Sequence, residues 1–284
     1  MKTVVLIVSV LAMVTTAFGA VTDKTPFPAS TPPLTPSPAF GDLIRSFSLG
    51  SGPTYPGGVA GMYDGYVITG HWGTSFTAWY VYTTTGSFVR SVPISGMSVG
   101  FRGGSGANHL GTGYFAGAFL SSGIRAYTYT AGGTPGTTYT QVLTAPTGRG
   151  VAYDGTYYYA TNGSYGAPIG RYTTAGSMVN TIALPSTLQS NMYDYATPAP
   201  GNGYIYVTNQ SPNSIVECNI TSGAQTRSIS VPATFPAGCD IRMADGYLYT
   251  TIQLSAGLVN VYDCGVVGSG VAPASLGTIK SLYR

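Results

Sequence analysis

Strand-length runs of β-compatible residues recur along the chain, and many of them begin at a glycine. Five runs share this form: GDLIRSFSL (41–49), GSFVRSVPI (86–94), GTTYTQVLT (136–144), GSMVNTIAL (176–184) and GAQTRSISV (223–231). Four of them directly follow another strand-like run: AWYVYTTTG (78–86), GIRAYTYTAG (123–132), PIGRYTTAG (168–176) and SIVECNITSG (214–223). Such runs, spaced regularly and rich in β-branched and aromatic residues, predict a repeat built from β-strands.

A hairpin pattern precedes each of these strand pairs. At 58–70, 150–162 and 239–251 an Asp-Gly pair joins two strand-like runs. Asp-Gly suits a tight hairpin turn because both residues tolerate positive φ. Looser copies at 98–119 and 191–209 have longer connections and end in the same aromatic strand. Each repeat is therefore predicted to contain four strands, which we name A to D in chain order.

The order of the strands predicts how the array ends. The first D strand, 41–49, stands alone at the N-terminal side, and the last C strand, GLVNVYDCG (257–265), has no D strand after it. Pairing these two would complete the fifth repeat and remove the exposed edges of an open array. The sequence thus predicts an all-β fold, a five-bladed β-propeller closed by an N-terminal strand, with a six-bladed ring as the alternative if the C-terminal segment adds strands. The predicted blades are about 57–96, 97–146, 147–186, 187–233, and 234–264 plus 40–50.

In this general pattern residues 40–264 resemble NHL-type and related secreted β-propeller repeats. The resemblance is to the architecture, since the sequence lacks WD dipeptides, sialidase Asp boxes and the paired glycines of kelch repeats. It implies a disc with a central funnel, where the D-to-A and B-to-C connections emerge on one face.

The segments outside the ring predict export. Lys2, an apolar run over residues 4–14 and small residues at 17–20 form a signal peptide, 1–20, which is too short to be a transmembrane anchor. Residues 21–39 form a Pro-rich extended arm, and 265–284 form a C-terminal tail that is either loosely packed or a docking or strand-adding segment. We expect a secreted or cell-surface protein with no membrane insertion after signal cleavage.

The composition of the chain limits the classes of binding partner that can be expected. Charged residues make up 7% of the chain, against roughly 25% in an average soluble domain. Loss of Lys2 with the signal peptide lowers the formal charge from +3 to +2, which argues against nucleic acid as a partner. A net charge near zero favours self-association or attachment to a surface. Cys218, Cys239 and Cys264 allow at most one intramolecular disulfide, or remain buried thiols.

Residues at the predicted funnel are the ligand-binding candidates, because aromatic faces stack on sugar rings and planar polar groups bond to hydroxyls. The ligand-binding candidates are His71, Trp72, Phe76, Arg102, Asn162, Tyr165, Asn209 and Arg242. Arg149 and Asn191 are predicted to lie beside them. A glycan or a surface protein is the expected partner, and the chain is also expected to self-associate.

Catalytic chemistry has few candidates in this sequence. Asp194 and Asp240, on adjacent innermost strands, are the weak candidates for a carboxylate pair that would hydrolyse a glycosidic bond. Arg242 follows Asp240 on the same face of a strand, so a structural ion pair explains both residues equally well. His71 and His109 lack zinc-site spacing, and no GxSxG motif or phosphate-binding loop occurs, so no metal or cofactor is expected.

These observations support three hypotheses of function. The first is a non-catalytic extracellular β-propeller that binds a glycan or protein or packs into a surface assembly. The alternative is a glycoside hydrolase or lyase with a carboxylate pair in the propeller funnel. The third is a structural subunit without a ligand.

Overall fold

Four-stranded antiparallel sheets account for almost all of the regular structure in the computed structural model of the protein. The structure describes residues 39–50, 52–73, 76–95, 97, 99–106, 113–119, 122–144, 149–161, 168–189, 192–196, 203–232, 235–242, 245–254 and 256–265. The strands in chain order are β1 (Leu43–Ser48), β2 (Pro56–Gly61), β3 (Tyr66–His71), β4 (Ala78–Thr83), β5 (Phe88–Pro93), β6 (Phe101–Ser105), β7 (Tyr114–Phe119), β8 (Gly123–Thr130), β9 (Thr134–Leu143), β10 (Ala152–Tyr153), β11 (Tyr157–Thr161), β12 (Ile169–Thr173), β13 (Met178–Ile182), β14 (Met192–Ala196), β15 (Tyr204–Gln210), β16 (Asn213–Asn219), β17 (Gln225–Ser230), β18 (Pro236–Ile241), β19 (Tyr247–Ile252) and β20 (Leu258–Asp263). One short helix, α1 (Ser186–Gln189), lies between β13 and β14.

These strands form the five blades of a β-propeller. Blades one to four are β2–β5, β6–β9, β10–β13 and β14–β17, each in sequential order. Blade five consists of β18, β19, β20 and then β1, which pairs antiparallel with β20 so that Leu43 lies opposite Tyr262 and Phe47 opposite Val259. The predicted five-bladed ring and its closure by the N-terminal strand are confirmed.

The predicted Asp-Gly hairpins form, but only the glycine of each pair takes a positive φ, and the aspartate does not. In blade three, Asp154 Oδ1 accepts hydrogen bonds from the backbone N–H groups of Thr156 and Tyr157 at 2.8 and 2.7 Å, while Gly155 adopts a φ of 92°. A positive φ is easily reached by glycine because it has no Cβ. Asp154 and Asp245 thus hold their own A–B connections, whereas Asp64 accepts hydrogen bonds from Tyr129 and Gly132 of blade two.

The hydrophobic core is divided among the contacts between neighbouring blades. Within the described residues the buried side chains form five clusters, one for each pair of adjacent blades. Successive residues of a strand point to opposite faces, so Ile205 and Val207 pack toward blade three while Tyr206 packs toward blade five. Both faces of a blade are thus buried.

The contact between blades one and two is rich in aromatic residues. Trp79 is fully buried, and its ring lies 4.5 Å from Phe76, 5.0 Å from Phe115, 5.0 Å from Tyr127 and 5.1 Å from Phe101, measured between ring centroids. These are edge-to-face arrangements, which aromatic quadrupoles favour. Phe76, predicted to bind ligand, belongs instead to this core and has no exposed surface.

The inner strands meet closely at the axis of the ring, where glycine permits the approach. A Cβ added at Gly238 of blade five would lie 2.5 Å from the carbonyl oxygen of Gly57 in blade one, and a Cβ at Gly57 would overlap the carbonyl of Phe101. At these positions backbone packs directly against backbone. The inner strands of blades five, one and two therefore approach each other without intervening side chains at these positions.

Beside the ring closure lies a polar network centred on the buried carboxylate of Glu217. Its carboxylate accepts hydrogen bonds from the Tyr206 hydroxyl at 2.6 Å, from Thr226 Oγ1 at 2.5 Å and from Arg227 Nε at 2.9 Å. Burial raises the pKa of Glu217, but the bonds from Arg227, Thr226 and Tyr206 outweigh it and hold the pKa below its usual value. The Arg227 guanidinium also lies 3.8 Å from the centroid of the Phe40 ring. This network joins blade four to the segment that leads into β1.

The three cysteines are free thiols and are buried. Cys218 packs between blades three and four, and Cys239 and Cys264 pack between blades four and five. Of the two possibilities that the sequence left open, the structure has the unpaired thiols. Among the described residues no helix is long and apolar enough to span a membrane.

Candidate functional site

A pocket with a volume of about 390 Å³ opens at one face of the disc, beside the axis. Its size falls within the range of small-molecule binding sites. Blades one, four and five contribute its lining residues, which are Tyr55, His71, Trp72, Gly73, Gln210, Phe235 and Gln253. They come from the D-to-A connections and from the ends of the B strands, which the sequence analysis expected to share one face.

Two of the lining residues, Tyr55 and Phe235, occupy equivalent places in the repeat. Each directly precedes the proline that begins an inner strand, Pro56 in blade one and Pro236 in blade five. The backbone carbonyl of Tyr55 accepts a hydrogen bond from the N–H of Trp72 at 3.0 Å, and that of Phe235 accepts one from Gln253 at 2.9 Å. The same backbone arrangement therefore presents an aromatic side chain twice in one pocket.

Both aromatic residues have a left-handed backbone. The φ angles are 50° at Tyr55 and 59° at Phe235, and in the described part of the chain these are the non-glycine residues with positive φ. This conformation costs a bulky residue on the order of 1–3 kcal/mol and is concentrated at functional sites. The rings are also half exposed, at 49% and 50% of their surface. Strain combined with exposure makes this surface a candidate functional site.

His71 ends the second strand of blade one and adjoins the pocket. Its Nδ1 accepts a hydrogen bond from the backbone N–H of Gly73 at 2.8 Å. Burial, and secondarily the positive charge of Arg102, lower the pKa of His71, so the imidazole is neutral at pH 7. Since Nδ1 accepts, the neutral ring carries its proton on Nε2 and donates from there.

Trp72 is held in place by Arg102. The guanidinium carbon of Arg102 lies 4.1 Å from the centroid of the indole, a cation–π contact, and Arg102 is buried. Trp72 itself is partly buried. The indole Nε1 and the Gln253 Nε2 are buried donors that bond to none of the described residues. Buried donors of this kind are usually satisfied by water or by a ligand.

Asp194 and Asp240 lie at the axis and are almost fully buried. Asp194 Oδ2 accepts the backbone N–H of Cys239 at 2.9 Å. Asp240 Oδ2 accepts the backbone N–H groups of Gly61 at 2.8 Å and Gly106 at 2.7 Å. Burial raises the pKa of Asp240 to about 7, although these N–H groups favour the ionised form. The two carboxylates connect inner strands of different blades, which is a structural role.

The ion pair that the sequence suggested between Arg242 and Asp240 does not form. Arg242 Nη1 contacts Asp245 Oδ2 at 2.6 Å, and its Nε donates to the carbonyl of Met62 at 3.0 Å. Because Arg242 follows the inner strand of blade five, these contacts place it at the hairpin end of that strand, away from the end where Phe235 lies. It is therefore not a neighbour of His71 and Trp72.

The other candidates are distributed as follows. Asn209 is buried and lines a smaller neighbouring pocket of about 250 Å³. Arg149 precedes β10, and its backbone N–H lies 3.4 Å from Thr161 Oγ1. Asn162, Tyr165 and Asn191 lie outside the described residues.

Tyr55, Gln210, Phe235 and Gln253 were missed by the sequence analysis. A signal for two of them is present: TYPGG (54–58) and TFPAG (234–238) share the order Thr, aromatic, Pro, small residue, Gly. The pocket thus combines aromatic rings, side-chain amides and a neutral imidazole, a set suited to uncharged ligands that have both an apolar face and hydrogen-bonding oxygens. Among the described residues no group of three or more His, Cys, Asp or Glu side chains could hold a metal ion.

Comparison with solved structures supports the fold. The glutaminyl cyclase of Myxococcus xanthus superposes with a TM-score of 0.58 at 12% identity, over 78% of this chain and 94% of that chain. The WD40 β-propeller domain of Doa1 gives a TM-score of 0.41 at 18% identity, over 70% of this chain and 60% of that one. No protein-family model and no curated protein sequence matches the chain. At such low identity the first likeness shows a common β-propeller fold.

Proposed function

We propose that this protein is an extracellular, non-catalytic β-propeller that binds neutral glycans in the pocket formed by blades one, four and five. The observation that carries the proposal is the pair Tyr55 and Phe235. Both are aromatic, half exposed and held at positive φ, and both line the same pocket. A strained backbone that presents two aromatic rings to solvent is maintained at a free-energy cost, which a binding role explains.

The polar groups of the pocket favour a glycan over a charged ligand. Gln210 and Gln253 each carry a donor and an acceptor, as sugar hydroxyls do, so the two groups are mutually complementary. His71 is neutral at pH 7. The guanidinium of Arg102 lies against the Trp72 indole and is buried. The aromatic faces would cover the apolar face of a sugar ring while the amides bond to its rim.

The roles of Asp194 and Asp240 support binding without hydrolysis. A general acid or base has to reach the substrate within hydrogen-bonding distance, directly or through one water. Both carboxylates are almost fully buried at the axis and accept backbone N–H groups there. Neither is among the residues that line the pocket.

A glycan array probed with residues 21–284 tests this proposal, with product analysis on every glycan that binds. We expect neutral oligosaccharides to bind and to be recovered intact. Trp72→Ala is expected to weaken the Kd by about fivefold or more, as loss of an aromatic anchor does, without abolishing cooperative unfolding. Cleavage of a bound glycan, or cyclisation of an N-terminal glutaminyl peptide added in parallel, would contradict a non-catalytic role. Binding confined to acidic glycans would contradict the proposed ligand class.

A further inference from the structure

The pocket contains the same local arrangement twice, an aromatic residue that precedes an inner strand, once in blade five and once in blade one. Phe235 lies between Gln210 of blade four, whose Nε2 is 3.4 Å from the Pro236 carbonyl, and Gln253 of its own blade, which bonds to the Phe235 carbonyl. Tyr55 lies between Leu254, whose carbonyl accepts the Tyr55 N–H at 3.1 Å, and the end of β3 in blade one. The two aromatic residues and the side-chain amides of the pocket therefore come from three neighbouring blades.

The two units share four independent features. Each aromatic residue precedes a proline that starts an inner strand, and each has positive φ. Each accepts a hydrogen bond from the residue that follows the B strand of its own blade, and the two are equally exposed. Within residues 40–264 no other aromatic residue is followed by proline. The feature is thus confined to blades one and five, which are neighbours in the ring.

From this arrangement, and resting on the proposed glycan-binding function, we infer that the pocket has two sugar subsites, one on Phe235 and one on Tyr55. The ligand is accordingly a neutral oligosaccharide that places two rings in the pocket at once. Gln253 adjoins both subsites and bonds to the ligand between the two rings. Gln210 and His71 bound the outer ends of the Phe235 and Tyr55 subsites, respectively.

Two subsites predict a defined dependence on ligand length. A monosaccharide can occupy one platform at a time, whereas a ligand with two or more rings engages both without a second loss of translational freedom. The Kd is expected to fall by about tenfold or more between the monosaccharide and the shortest ligand that spans both platforms, and to change little with further length.

Glycine substitutions test the subsites without the risk of misfolding. Tyr55→Gly and Phe235→Gly remove the rings and place at positive φ the residue that tolerates it best. We expect each variant to keep the melting temperature of the wild type or exceed it. We expect each variant to bind a ligand with two or more rings no more tightly than it binds the monosaccharide. Its affinity for the longer ligand should therefore be about tenfold lower than that of the wild type. The double variant is expected to lose measurable binding.

The chain offers matched controls for these variants. Phe88 on β5 and Tyr139 on β9 are 50% and 47% exposed and lie on outer strands. Phe88→Ala and Tyr139→Ala should leave the length dependence unchanged. Titration calorimetry of the wild type and the five variants with one homologous series, from monosaccharide to hexasaccharide, measures both effects.

The outcomes separate the inference from the function on which it rests. Binding that does not depend on ligand length, or that only one of the glycine variants weakens, overturns the two subsites and leaves a glycan-binding pocket. The absence of binding to every member of the series overturns both. Tight binding of a neutral aromatic peptide at the same two residues, without glycan binding, would overturn the sugar ligand.

Discussion

The two tryptophans of blade one show how differently two parts of this molecule use the same residue. Trp79 is fully buried and surrounded by the rings of Phe76, Phe101, Phe115 and Tyr127. Trp72 is partly buried, contacts the guanidinium of Arg102 and lines an open pocket. Their indole N–H groups differ as well: that of Trp79 lies 3.2 Å from the Gly136 carbonyl, whereas that of Trp72 bonds to none of the described residues.

The same contrast extends to the ring and the pocket as a whole. At the axis Asp240 accepts two backbone N–H groups, and glycines bring the inner strands together. At the pocket two aromatic residues adopt a strained backbone and expose half of their surface. The inner strands are held by buried hydrogen bonds and close packing, whereas the pocket exposes aromatic residues on a strained backbone. Natural proteins commonly show such local departures at functional sites.

The largest effect is expected from removing the strand that closes the ring. Deletion of residues 21–50 removes β1, which leaves β20 with an unpaired edge and exposes the contact of blade five with blade one. Cooperative thermal unfolding should be lost. Deletion of residues 21–38 removes no described residue and serves as the control, which should unfold as cooperatively as the full chain. Calorimetry of both truncations makes the comparison, and equal stability would contradict closure by β1.

Trp79→Ala should destabilise the protein by about 3–5 kcal/mol, as truncation of a core aromatic does. The indole occupies the centre of the contact between blades one and two, so its removal leaves a cavity there. Glycan affinity of the folded fraction should not change, because Trp79 does not line the pocket. Denaturant unfolding at a temperature where the variant remains folded gives the free energy. A change in the free energy of unfolding below 1 kcal/mol would show that this aromatic cluster contributes little to the stability of the ring.

The stability of the ring should also depend on the ionisation of Asp240. Its pKa is raised to about 7 in the fold, so the folded protein binds a proton more tightly than the unfolded chain. The stabilisation that protonated Asp240 contributes is therefore fully present below its unfolded pKa of about 4. It decreases by roughly 1.4 kcal/mol per pH unit as the pH rises and is lost as the pH passes through 7. Asp240→Asn keeps an oxygen acceptor for Gly61 and Gly106 and should flatten this part of the profile. Melting temperatures of both proteins between pH 4.5 and 8 measure the difference, and parallel profiles would contradict it.

Glu217→Gln should destabilise the protein by about 1.5–3 kcal/mol, the scale of hydrogen bonds to a charged group. The folded pKa of Glu217 is lowered, so its contribution is present above its unfolded pKa and is lost as pH falls through the folded pKa. The wild type should therefore lose stability below about pH 4.5, and the variant should lose less. Urea unfolding at pH 7 and pH 3.5 tests both statements. If the variant kept the full pH dependence of the free energy of unfolding, that dependence would come from another carboxyl group.

The smallest expected effect concerns the pocket and not the ring. Protonation of His71 adds a positive charge near Arg102 and removes the acceptor for the Gly73 N–H. Because the pKa is lowered, glycan affinity should stay constant from pH 8 to about 6.5 and fall below that, by roughly 1 kcal/mol or about fivefold. His71→Asn keeps an acceptor and should abolish the decline. Binding titrations across this range, together with melting curves, distinguish an effect on binding from one on folding.

The ring was predictable from the sequence because its determinants are local. Runs of β-compatible residues, Asp-Gly turns and glycine at the start of each outer strand are visible within one repeat. Even the closure by β1 could be predicted, since an unpaired D strand at one end and an unpaired C strand at the other require each other.

The pocket was less predictable because it is assembled from distant parts of the chain. Tyr55, Gln210 and Phe235 come from three blades, and their positive φ angles and exposure have no direct signal in the sequence. An aromatic residue in a connection does not reveal whether it faces solvent, so Phe76 was placed at the surface although it belongs to the core. Asp194 and Asp240 were similarly ambiguous, because their partners are backbone N–H groups supplied by other blades.

The central claim is that the pocket of blades one, four and five, and not the axis, is the binding site. A crystal structure of residues 21–284 with a neutral oligosaccharide that binds on the array tests it directly. We predict sugar rings against Tyr55 and Phe235, with hydroxyls bonded to Gln253 and His71. Ligand density beside Asp194 and Asp240, or on the outer strands with the pocket left to solvent, would contradict it.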